Sequence, residues 1–316
     1  NAPVVAVFIF DTSQSMEYRH QSKTRLEVAQ EIAREHLDRL PAGSQVAVID
    51  TSVEWTGGFR AADDTVQGSD EADEVGSKAS AGRFVLFQSS PIALRRRIDQ
   101  LSLHPVARTL NGCIEGGLSL LESNREREMV GSAGEDGFVR EVYVFTDLAR
   151  GAWSRGTADA GRLSRAVESC PWLGGIYIVD TGVSDPVNSG IASLDLSRQT
   201  VAEGGAVTIT ATVDGTGLSG EVDRTVDLLV VNASGKPVPR GSAAVKLKDG
   251  AASTISLVAE GLSGPFVQGE LRLRSSDPLA SDDVAYFTVA VASAPRVLVV
   301  APTSREAAYL IEALSP

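Results

Sequence analysis

The sequence predicts a doubly wound α/β domain, then an all-β sandwich, then the opening of a further α/β domain. Val4–Phe10 (VVAVFIF) is apolar without alternation and mostly β-branched or aromatic, the pattern of a strand buried on both faces inside a parallel sheet. From there to Asp180, strand-like runs alternate with helix-period runs, which implies parallel strands joined by right-handed crossovers. Beyond Gly190 the apolar period changes to two, the mark of half-buried antiparallel strands. The expected boundaries are residues 1–186, 187–293 and 294–316.

The chain of 316 residues carries 29 basic and 41 acidic side chains, a net charge of −12. Nucleic-acid binding would need clustered basic residues, and the only dense run, Arg95-Arg96-Arg97, reads as the solvated face of a helix. No apolar run approaches the roughly 18–20 residues of a membrane-spanning helix. The chain opens on a core strand without an initiator Met and stops just after a helix, so it reads as an excerpt of a longer protein. Cys113 and Cys170 are too few for a disulfide framework and read as small buried hydrophobes.

At the carboxyl end of the first strand stands D-x-S-x-S: Asp11, Ser13 and Ser15, followed by Met16. Ligands of open α/β sheets sit beyond the carboxyl ends of strands. Short oxygen-bearing side chains at alternate positions there can converge on one hard cation, or they can simply make a turn. They are not needed as helix caps, because Thr24-Arg25-Leu26-Glu27 supplies a capping box. Leu26, Ala29, Ala33, Leu37 and Leu40 then recur at helical spacing.

Gln45–Asp50 reads as the next parallel strand. Residues 56–82 form a polar, acidic excursion lacking the offsets of a calcium loop, and Arg83–Phe87 reads as a short edge strand. Pro91–Leu101 reads as a helix with Ile92, Ile98 and Leu101 inward, and Leu110, Ile114, Leu118 and Leu121 mark one face of the following one. Thr109, at the start of that second helix, can cap it or offer its hydroxyl to a cation. A second polar loop, 131–137, leads to the strand Glu141–Phe145. That strand ends in Thr146-Asp147, where Asp147 is a turn-former before Gly151 or a further polar group at a strand end. A helix over 157–168 and the strand Gly175–Asp180 close the domain. If the first strand is central, strand order reverses beside it. The loops carrying Asp11, Thr109 and Asp147 then border one crevice.

With those pieces in that order, DTSQSM, RTLNGCIEGGL and VFTDLARG, residues 3–183 resemble the von Willebrand factor type A domain and its metal-ion-dependent adhesion site. The resemblance implies a Rossmann-like fold and a Mg²⁺ (or Mn²⁺) ion. Ser13 and Ser15 would ligate it directly, Thr109 directly or through water, and Asp11 and Asp147 through water. The sixth position would take an Asp or Glu of a protein partner. Leu148 departs from the pattern, since many members carry Gly there. The wording of DTSQSM and TDLARGAW is similar to bacterial membrane-anchored members of the Bat type. That implies an anchor outside this chain, an extracytoplasmic location, and a partner such as a MoxR-type AAA+ ATPase or another envelope protein.

In the second domain, Ile191–Leu196, Ala206–Val213, Thr225–Val231, Ala243–Lys248, Ser253–Val258, Gly269–Arg274 and Val284–Val291 alternate. About seven strands in about 100 residues is the arithmetic of an immunoglobulin-like sandwich. Without a Cys pair or a core Trp it looks like the fibronectin-like or adhesion-type spacers. Asp277, Asp282 and Asp283 cluster near a turn and read as turn-formers rather than calcium ligands. Pro295–Ala301 and Ser304–Leu314 read as one strand and one helix, similar to the start of a class I glutamine amidotransferase-like domain.

Three function classes follow: a metal-dependent protein-binding module without catalysis, a metal-free scaffold, and a phosphatase-like enzyme with Asp11 as nucleophile. The last ordinarily wants an acid/base carboxylate two residues on, where Ser13 stands. His20, His36 and His104 lack metal-ligand spacing.

Overall fold

The computed structural model describes residues 2–52, 87–105, 108–131, 137–154, 156–232, 234–275 and 277–293, with isolated residues beyond. The expected excursion 56–82, most of the strand 83–87, the interior of the loop 131–137 and the terminal strand and helix lie outside the described residues. The chain divides into Asn1–Pro186 with Pro278–Ser281, and Val187–Asp277 with Asp282–Pro316.

The first unit contains β1 (Val4–Phe10), the two-residue strands β2 (Arg19–His20) and β3 (Lys23–Thr24), α1 (Arg25–Arg39), β4 (Gln45–Asp50), α2 (Pro91–Asp99), α3 (Leu110–Gly131), β5 (Val139–Thr146), α4 (Thr157–Glu168) and β6 (Leu173–Asp180). The main sheet runs β4-β1-β5-β6 and is parallel throughout. The uninterrupted apolar character of β1 has a direct cause. Ala6, Phe8 and Phe10 feed the core shared with α1 and α2, whereas Val5, Val7 and Ile9 feed the core shared with α3. A strand that serves both cores has no solvent face to alternate with. On the α3 side the approach is close, since a Cβ on Gly117 would lie 3.3 Å from Val7 Cγ1. On the other side Phe10 stacks on Phe145 with ring centroids 4.7 Å apart.

The expected capping box is present: Thr24 Oγ1 accepts from Glu27 N–H at 3.1 Å, and Glu27 Oε2 accepts from Thr24 N–H at 2.7 Å. In α2 the inward residues are Leu94 and Ile98, and Leu101 just beyond it is also buried; Ile92 is 82% exposed, which corrects the expectation that it faces inward. With Pro91 opening the helix, its buried stripe begins one turn later, at Leu94. The hairpin of β2 and β3 was not expected, because its turn residues Gln21 (φ 50°) and Ser22 (φ 70°) occupy left-handed backbone without the usual Gly or Asn. Cys113 and Cys170 are free and buried, and burial pushes the Cys113 thiol up to about 11, so it stays protonated. No described helix is long and apolar enough to cross a membrane.

The second unit contains β7 (Asn188–Leu196), β8 (Thr200–Ala202), β9 (Val207–Thr216), β10 (Val222–Val231), β11 (Pro237–Leu247), β12 (Ser253–Ala259), β13 (Phe266–Leu273) and β14 (Val284–Ala292). They form a five-stranded sheet, β11-β10-β13-β14-β8, and a three-stranded sheet, β12-β9-β7. Pairing is antiparallel except between β14 and the short β8. Alternate residues such as Ile209, Val213, Leu228, Leu271 and Val289 form one core. A tight cluster lies beside β7: Asn188 Nδ2 donates to Asp282 Oδ2 at 2.7 Å, Ser189 N–H to Asp277 Oδ2 at 2.8 Å, and the Ser275 hydroxyl to Asp283. Asp282 fills the space a side chain at Gly190 would need, 2.5 Å from its Cβ position.

Two outcomes follow. Phe10→Ala should lower unfolding free energy by about 3–5 kcal/mol in urea denaturation, since it empties a stacked, fully buried position. Burial, then the like charges of Asp277 and Asp283, push Asp282 up to about 7. A carboxyl raised on folding keeps its proton longest in the native state, so stability should fall as pH rises from about 4 to about 7. Asp282→Asn should flatten that slope and gain roughly 1 kcal/mol at pH 8, after allowance for solvent screening, measured by urea unfolding at successive pH values.

Candidate functional site

Three strands of the first sheet end abreast. Phe10 is in register with Asp50 of β4 and with Phe145 of β5, so Asp11, Thr51 and Thr146 emerge side by side. Asp11 N–H donates to the Phe145 carbonyl at 2.9 Å, and Thr51 N–H to the Phe10 carbonyl at 3.1 Å. Thr12 then folds onto Thr51, with its N–H and its hydroxyl each 2.9 Å from Thr51 Oγ1. Asp11, Thr12, Thr51 and Thr146 are all shut off from solvent.

A carboxylate in that position must find donors, and Asp11 finds them on both oxygens. Oδ1 accepts from Ser13 N–H at 3.0 Å and Oδ2 from the Thr146 hydroxyl at 2.8 Å. The first bond is an Asx turn, which bends the chain and brings Ser13 Oγ and Ser15 Oγ to 3.1 Å apart. A 3₁₀ turn, Gln14–Glu17, follows without a side-chain cap, so the Ser13 hydroxyl is not engaged as one.

Asp147 also has a wholly buried side chain. Oδ1 accepts from Ala149 N–H at 3.0 Å, and Oδ2 lies 2.5 Å from Arg25 Nη1. The same Nη1 donates to the Ser15 carbonyl at 3.2 Å, and the guanidinium lies over the Tyr18 ring, 4.2 Å from its centroid. Arg25 is itself only 9% exposed. Leu148 adopts φ 58°, left-handed backbone that glycine enters without cost, and its N–H donates to Thr146 Oγ1 at 3.2 Å.

Thr109 immediately precedes α3, and its hydroxyl accepts from Gly112 N–H at 3.4 Å, a weak cap. Its loop is fastened to the same crevice by main-chain bonds: Arg108 N–H to the Thr51 carbonyl at 2.7 Å, and His104 N–H to the Thr12 carbonyl at 2.8 Å. The structure thus links Asp11, Ser13, Ser15 and Asp147 through hydrogen bonds in which Arg25 and Thr146 are the connectors. Thr109 joins through its backbone neighbours. An open groove of about 360 Å³, lined in part by His20, Lys23, Arg25 and Thr181, adjoins the Arg25 side of this cluster.

The donor set suits a small hard cation. Adjacent oxygens in an octahedron of Mg²⁺–O bonds lie about 2.9 Å apart, and the two serine hydroxyls are separated by 3.1 Å. Each Asp11 oxygen has one protein donor and a second lone pair, enough to orient a metal-bound water. Among the described residues no group of three or more His, Cys, Asp or Glu is placed to hold a metal, so a cation here would rest chiefly on hydroxyls and water.

Sequence reasoning missed Arg25, Tyr18 and the Thr12–Thr51 pair. For Arg25 a signal existed: a cation at the first position of α1 faces the positive end of the helix dipole, an arrangement that calls for an acidic partner. The identity of that partner, 122 positions away in the chain, was not readable.

Residues 6–83 match the family model of the von Willebrand factor type A domain, which supports a type A domain in the first unit. No curated protein matches the chain. Among solved structures, the chain is similar to the CARDB domain of the PF1109 protein from Pyrococcus furiosus, with 12% identity, 34% of this chain and 90% of that one covered, and a TM-score of 0.29. It is also similar to a Paenibacillus cycloisomaltooligosaccharide glucanotransferase, at 21% identity over 41% of this chain and 19% of that one, with a TM-score of 0.28. For the sporulation control protein Spo0M from Bacillus subtilis the figures are 14%, 33%, 49% and 0.23.

Thr146→Val should cost about 1–3 kcal/mol in urea denaturation, because it strips a donor from the buried Asp11 carboxylate and an acceptor from Leu148 N–H.

Proposed function

We propose that the first unit is a non-enzymatic, metal-dependent protein-binding module, in which Mg²⁺ or Mn²⁺ held at the end of β1 captures an Asp or Glu of a partner protein. The observation that carries this reading is the joining of loops far apart in the chain. The Asp11–Thr146 bond and the Ser15–Arg25–Asp147 chain of contacts gather the oxygens of the DTSQS loop and the TD loop around one place. Ser13 and Ser15 would ligate the ion, Thr109 would join directly or through water, and Asp11 and Asp147 would hold its waters. The ion supplies an electrophilic position for an outside carboxylate, and the chain's own residues keep that position shaped and poorly neutralised.

The type A match supports the interaction role. By the wording of DTSQSM and TDLARGAW, the whole protein would be a Bat-like, membrane-anchored bacterial one. Its second unit would be an immunoglobulin-like spacer, and its partner an envelope protein or a MoxR-type ATPase. A catalytic role for Asp11 is disfavoured by its surroundings: both oxygens are engaged as acceptors, and Ser13 occupies the place of an acid/base carboxylate. A second reading, a metal-free scaffold, draws on Arg25, which already supplies Asp147 with a cation.

In the full chain, millimolar Mn²⁺ or Mg²⁺ should raise the melting temperature by several degrees, read by differential scanning calorimetry. Ser13→Ala with Ser15→Ala should abolish the shift. A parent protein indifferent to both ions would favour the scaffold.

A further inference from the structure

We infer that Arg25 is a positioning residue that sets the charge of this site, weakening its hold on a divalent cation and leaving the loaded site positive enough to demand an anionic partner ligand. The inference rests on the cation-site reading above and deepens it. Two buried carboxylates, Asp11 and Asp147, face this crevice, and the Arg25 guanidinium offsets one of them at 2.5 Å. The serine and threonine hydroxyls contribute no charge. A dication added to this set leaves a net positive charge, which one outside carboxylate brings to neutrality. Without Arg25 the charge of the loaded set would be one unit lower, and an incoming Asp or Glu would meet a weaker attraction. The effect is not screened away, because Arg25 and both carboxylates are shielded from solvent.

One nitrogen of Arg25, Nη1, reaches Asp147 Oδ2 and the Ser15 carbonyl together while the flat face of the guanidinium lies on Tyr18. Ser15 carries one of the proposed ligand hydroxyls, so the guanidinium grips both the charge to be offset and the backbone of a ligand residue. Its place in the first turn of α1 works against the helix dipole, and the contacts with Asp147, the Ser15 carbonyl and the Tyr18 ring offset that cost.

The test is Mn²⁺ affinity of the full chain, read from the free-ion signal in electron paramagnetic resonance, with no partner present. Arg25→Met should bind Mn²⁺ at least about tenfold more tightly than the parent, because the cation that offsets Asp147 has gone. Arg25→Lys, which keeps the charge, should stay within about threefold of the parent. Since Arg25→Met leaves Asp147 unpaired and can impair folding, a second comparison removes the pair together. Adding Arg25→Met to Asp147→Asn should likewise tighten Mn²⁺ binding relative to Asp147→Asn alone. Unchanged or weaker binding on loss of Arg25, in whichever comparison is folded by circular dichroism, overturns the inference while leaving the cation site standing. No binding by any variant overturns both. A parent that binds nothing beside an Arg25→Met variant that binds supports the inference and shows the arginine excluding the ion.

Discussion

The in-register parallel pairing of β1 with strands on both sides is the constraint from which the rest of the first unit follows. It demands that every side chain of Val4–Phe10 be apolar, because helices cover both faces of a central strand. It also sets where the apolar run must stop. Once Phe10 is paired with Asp50 and Phe145, the next residue of each strand arrives at the same level, and the chain turns there with polar side chains. The crevice is thus a consequence of sheet topology, and its position is the one at which strand order reverses.

Polar groups collected at such a point lose their water, and the surrounding bonds show how each is compensated. Asp11 is satisfied by a local turn and by a hydroxyl from a neighbouring strand. Asp147 is satisfied by a local turn and by a guanidinium. Both follow one scheme, a short-range donor plus a long-range one, and the long-range donors tie the loops together. The difference is charge: a hydroxyl leaves its carboxylate anionic, whereas Arg25 offsets its partner. The second unit uses the same economy at Asp277, Asp282 and Asp283, where Ser and Asn donors and a main-chain N–H stand against the carboxylates.

Much of this architecture was legible because its signals are local. The buried strand, the capping box at Thr24, the α3 face of Leu110, Ile114, Leu118 and Leu121, and the alternating strands of the second unit each depend on periodicity within a few residues. Errors fell where periodicity is truncated or ambiguous. Ile92 sits in the first turn of a short helix, where a stripe cannot be distinguished from an exposed apolar residue. The β2–β3 hairpin turns on Gln21 and Ser22, which carry no turn signature, and β8 is too short to alternate visibly. Of the site, Asp11, Ser13, Ser15, Thr109 and Asp147 stood out by residue type at strand and helix ends. Thr146, noted only as the neighbour of Asp147, proved to be the donor that satisfies Asp11.

The sequence alone determined the element types, the two apolar faces of the first strand and the placing of oxygen-bearing side chains at strand ends, since backbone propensity and hydrophobic period act over short distances. Only the tertiary structure decided that a guanidinium opening α1 reaches the carboxylate after β5, and that the Thr146 hydroxyl completes Asp11. Pairings of that kind depend on register between strands far apart in the chain, and desolvation gives them their strength. Neither register nor burial exists until the sheet is assembled.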